Sequence, residues 1–101
     1  MEGAIKMKKM KKTLANKIAW HRRMEIKSSV QAGKLYQKVT EYDYESNVTR
    51  QDIDFAMEQA KEHKIKALVL MELFKEIFGE SVYEYWKKEG KKVYRYGSAG
   101  I

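Results

Sequence analysis

A chain of 101 residues, 44% apolar and 35% charged, has the size of one domain and enough apolar content for a core. It has no cysteine, which excludes disulfides, thiol nucleophiles and cysteine-ligated metals, and no proline, so no residue stops a helix outright. The formal charge of +7 falls entirely within residues 1–27, where nine Lys/Arg face two acids; residues 28–101 hold twelve of each.

Residues 4–26 are predicted to be helical. Met7, Met10, Leu14 and Ile18 recur at spacings of 3, 4 and 4, one face of a 3.6-residue period, and lysines fill the other faces. Trp20 and Met24 continue the apolar strip with a slight rotation. Heptad positions counted from Met7 and Met10 meet Lys17, His21 and Ser28, which argues against a coiled coil.

Ser28-Ser29 is read as a pause, with Ser29 capping a second helix over residues 30–42 whose apolar face is Ala32, Leu35, Tyr36 and Val39. Gly33 weakens that helix by about 1 kcal/mol. An acidic connector, 43–48, leads to Thr49, which is expected to cap a helix whose inner edge is Ile53, Met57, Ala60 and Lys64. Residues 65–78 are the most apolar stretch and are assigned to the core or to a dimer interface.

Gly79 should end that run or kink it. Ser81-Val82-Tyr83-Glu84 forms a capping box and Gly90 stands where a C-terminal cap belongs, so 82–89 reads as a short helix. The rival is a β-hairpin pairing Val82–Tyr85 with Val93–Tyr96. The expected fold class is mainly α: a small four- to five-helix domain, with a short C-terminal hairpin or strand as the variant. The expected organisation is a basic helix over 1–27, a helical core over 28–96 and a flexible tail over 97–101, one domain overall.

Catalytic and metal chemistry find no support in the motifs. Oxygen-bearing side chains from Asp43 to Asp54 imitate a calcium loop, but Val48 occupies the glycine position and Arg50 brings positive charge. His21 and His63 are expected at the surface, since no spacing supplies the further ligands a metal needs. There is no nucleophile elbow, phosphate loop or dinucleotide fingerprint. No enzyme activity and no cofactor are expected. No apolar run approaches the roughly 20 residues of a membrane span, and no secretory signal is recognisable. A cysteine-free chain suits a reducing cytoplasm.

The basic helix therefore carries the functional expectation. Lys8, Lys9, Lys11, Lys12, Lys17, Arg22 and Arg23 offer charge to nucleic-acid phosphates without base specificity, and the Trp20 indole can stack on a base. Two other readings compete. The same helix could lie on an anionic membrane, with Met7, Met10, Leu14, Ile18 and Trp20 dipping into the interface, or it could be a solvated face over a core stripe. The composition resembles that of accessory proteins of phages and mobile elements. The expected function is a non-enzymatic regulatory protein contacting nucleic acid; the alternative is an adaptor or inhibitor of a larger protein, self-associating as a homodimer through its basic and acidic regions.

Overall fold

The computed structural model describes residues 2–42 and 50–94, with side chains of 3–38 and 50–94. It is mainly helical: α1 spans Glu2–Tyr42, α2 Arg50–Phe78 and α3 Val82–Lys88. No strand occurs among the described residues. The expected four to five helices are thus three, because two predicted breaks do not occur. α1 runs through Ser28-Ser29 and Gly33, and α2 joins the stretch beginning near residue 50 to the apolar run 65–78. Serine and glycine lower helix propensity by a few tenths to about 1 kcal/mol, whereas proline would cost about 3, and none is present. The Thr49 cap, the whole acidic connector 43–48 and the tail 97–101 lie outside the described residues.

The ends that the structure does describe follow the predicted chemistry. α2 stops at Gly79, whose φ of 71° is left-handed and whose N–H donates to the Lys75 carbonyl at 2.9 Å. α3 is capped by Ser81, whose hydroxyl accepts the Glu84 N–H at 3.2 Å. It closes with a Schellman motif: Gly90, at φ 66°, donates to the Lys87 carbonyl, and Lys91 donates to that of Trp86. The C-terminal hairpin does not form. Helical spacing brings Val82 and Trp86 together into the core and keeps Glu84 exposed, and residues 91–94 carry no regular structure.

The chain divides into two compact units, residues 1–20 with 67–101, and residues 21–66. Unit one holds the apolar core. Ala15, Ile18 and Ala19 of α1, Phe74 of α2, and Val82 and Trp86 of α3 are buried together, flanked by Leu14, Leu70, Met71, Phe78 and Tyr83 among others. Its aromatics meet in tilted and edge geometries: Phe74–Phe78 at 4.9 Å, Phe74–Tyr85 at 5.7 Å and Trp86–Tyr94 at 5.7 Å. In unit two the buried side chains are smaller or polar: Ala32, Ala56 and Ala60, with His21 and Arg22.

Helix α2 is apolar on more sides than unit one covers. Ala67 and Phe74 are buried, but Leu68, Val69, Leu73 and Ile77 stay 41–59% exposed. Likewise Met7 and Met10, assigned to the inner stripe of α1, remain exposed, and the stripe is buried only from Leu14 onward.

Candidate nucleic-acid interface

In unit one, Lys6, Lys8, Lys9, Lys12 and Lys17 are exposed on α1. Lys9, Lys12, Asn16 and Trp20 follow one another at spacings of 3, 4 and 4, so they share a face turned away from the buried Ile18. Trp20 is 46% exposed, its indole partly open to solvent.

Lys11 is not part of that face. Its ammonium is paired with Glu80 and sits 5.3–6.0 Å from the centroids of Phe74, Phe78 and Tyr85. Glu80 also accepts from Lys88 at 2.6 Å. The hydrogen bonds from Lys11 and Lys88 hold the Glu80 carboxyl below its ordinary range, and Glu80 in turn raises Lys88. Burial, aided by Glu89 and Glu80, pushes the Tyr85 phenol up. Lys11 thus ties α1 to the segment between α2 and α3.

In unit two, Arg23 and Lys27 are exposed, as are Lys34 and Lys38. Arg22 is 8% exposed and paired with Glu25 one turn on. Of the eight side chains singled out from sequence, six remain at the surface (Lys8, Lys9, Lys12, Lys17, Trp20, Arg23), and Lys11 and Arg22 serve internal pairs.

Sequence order hid a second source of charge. Lys87, Lys88, Lys91 and Lys92, at the end of α3 and just after it, belong to unit one with the N-terminal lysines. Most of the acids that neutralise the later sequence lie instead between residues 41 and 62, in unit two. Unit one consequently holds twelve basic and six acidic side chains, unit two nine and eight. The signal was readable only as a lysine cluster around Gly90, next to a helix C-terminus where cations are favoured.

The histidines correct the expectation of a solvated pair. His21 is 6% exposed, and its Nδ1 lies 3.0 Å from Nδ1 of His63. The ring centroids are 5.2 Å apart, close to the nitrogen gap plus two ring radii, so the nitrogens face each other almost head-on. That is the geometry of an N–H···N hydrogen bond, which requires one Nδ1 to carry hydrogen and the other to accept. Antiparallel helices bring positions 21 and 63 together, which neither local sequence reveals. Among the described residues no three His, Asp or Glu side chains converge as metal ligands. No helix among them is long and apolar enough to cross a membrane.

The chain matches no family model, no curated protein and no solved structure.

Proposed function

We propose that this protein is a non-enzymatic accessory factor that binds nucleic-acid phosphates through the exposed lysine face of α1. The observation that carries the reading is the segregation of charge: unit one has twice as many basic as acidic side chains, Lys8, Lys9, Lys12 and Lys17 stand exposed on α1, and Lys9 and Lys12 share a face with Trp20. Such an array gains free energy by releasing counterions from the phosphate backbone and carries no base information. The half-exposed indole adds a stacking surface for unpaired bases. Lys11 and Arg22 fall outside the interface, because their charges are already committed to Glu80 and Glu25.

The test is an anisotropy titration with duplex and single-stranded probes at about 50 and 200 mM salt. With about four phosphates neutralised, log affinity against log salt should slope near −4 for duplex. Reversing Lys8, Lys9 and Lys12 together should weaken all sequences alike, and Trp20→Ala should weaken single strands more than duplex. Lys11→Met should lower stability and leave the affinity of folded protein nearly unchanged. Absence of binding at the lower salt sinks the reading.

A protein-binding adaptor or inhibitor is the second reading. Its support is the aliphatic row Val69, Leu73 and Ile77 exposed on α2, the kind of surface a protein partner covers. In that case anionic probes fail to bind, and Leu73→Asp abolishes capture of the partner or of a second copy.

A further inference from the structure

In unit two, α1 and α2 meet through a pair of titratable rings. His21 is buried, and its Nδ1 stands 3.0 Å from Nδ1 of the half-buried His63. A neutral pair makes this contact with one hydrogen between the nitrogens. A singly charged pair makes it as well, because an imidazolium Nδ1–H donates to the neutral ring. A doubly charged pair does not. Each Nδ1 then carries a hydrogen, no acceptor remains between the rings, and two like charges face each other with centroids 5.2 Å apart. The closed contact therefore accommodates one added proton, whereas helices that have moved apart accommodate two.

The charges within a turn of the rings do not offset the second proton. On α1 these are Lys17, Arg22, Arg23 and Glu25, and on α2 Lys61, Glu62, Lys64 and Lys66, six cations against two acids. Both acids engage a cation, Glu25 with Arg22 and the half-exposed Glu62 with Lys66. The surroundings are thus positive before either ring is charged. The apolar side chains buried in unit two, Ala32, Ala56 and Ala60, are small, so little apolar area opposes opening. We propose that the His21–His63 pair is a proton-operated latch. It holds α1 and α2 of unit two together while at least one ring is neutral, and it releases them when both are protonated, below about pH 6.5, where free imidazoles charge. The latch uses only unit two and is independent of the nucleic-acid reading.

Opening of unit two then takes up one more proton than the closed pair holds, so its protection should fall about tenfold per pH unit below about pH 6.5. The experiment is amide hydrogen exchange of the full chain, followed by NMR between about pH 6.5 and pH 5, above the ordinary carboxylate range, and corrected for the intrinsic rate of each amide. The amides of Met24–Lys38 and Phe55–Ala60 should lose protection at that slope, whereas those of Leu14–Ala19 and Leu70–Phe74 keep theirs. His63→Gln leaves a carbonyl acceptor for a protonated His21, and His21→Leu with His63→Leu removes both titrating rings. Each variant should flatten the pH dependence of unit two. Nitrogen NMR of the parent's rings at neutral pH should find one Nδ1 protonated and the other not. The proposal is overturned if protection of unit two does not depend on pH in this window, if the slope persists in whichever variant folds, or if unit one loses protection in parallel. Full protonation of both rings above about pH 5 with unit two still closed would overturn it as well.

Discussion

Glu80 holds two ammonium groups, Lys11 from α1 and Lys88 from α3, and both hydrogen bonds depress its pKa. A carboxylate whose folded pKa is lowered contributes stability that is present above its unfolded pKa and lost as pH falls through the folded value. Glu80→Gln should therefore be less stable than the parent at neutral pH, and the gap should close on acidification below the ordinary glutamate range. Urea unfolding at stepwise pH measures it; a gap that does not change with pH would mean that the carboxylate charge is not its source. The His21–His63 hydrogen bond is a different kind of single-residue feature. Two unremarkable surface candidates in sequence become an internal polar contact once their helices pack side by side.

At the scale of the element, glycine separates a tolerated position from a required one. Gly33 lies inside α1 with open space around it, so Gly33→Ala should stabilise by about 0.5–1 kcal/mol. Gly90 sits at φ 66° in the Schellman motif, so Gly90→Ala should destabilise by about 1 kcal/mol although no atom stands in the way. Thermal melts of the two variants should shift in opposite directions. The apolar run of α2 divides in the same manner. Phe74 is fully buried, and Phe74→Ala should cost about 3–5 kcal/mol. Leu73 is 41% exposed, and Leu73→Ala should cost well under half of that in the monomer. An equal loss at Leu73 would show that its face is covered in solution.

Across the whole molecule, the two units differ in what their folding buries. Unit one buries Ile18, Phe74, Val82 and Trp86, whereas the apolar side chains buried in unit two are alanines. Apolar stabilisation scales with area at roughly 25 cal/mol per Å², so unit two has the thinner hold. Native-state hydrogen exchange should find the amides of Leu14–Ala19 and Leu70–Phe74 slower than those of Met24–Lys38 and Phe55–Ala60. Uniform protection across both units would instead indicate a single cooperative block.

The sequence by itself determined the helical class and the basic character of the N-terminal helix, and it favoured a break at Gly79 and the Ser81 and Gly90 caps of α3 while leaving a hairpin open over 82–96. Each is a local property, set by periodicity, cap chemistry or composition within a few residues. It did not determine helix number, because serine and glycine only weaken a helix and flanking packing decides whether it continues. Which lysines face solvent was likewise a tertiary decision. Lys11 and Arg22 share the composition of their neighbours, yet helix phase turns them inward toward Glu80 and Glu25. The His21–His63 bond and the gathering of positive charge in unit one both join residues from separate helices. Such pairings depend on which helices pack together and in what register, and no window along a single helix contains that information.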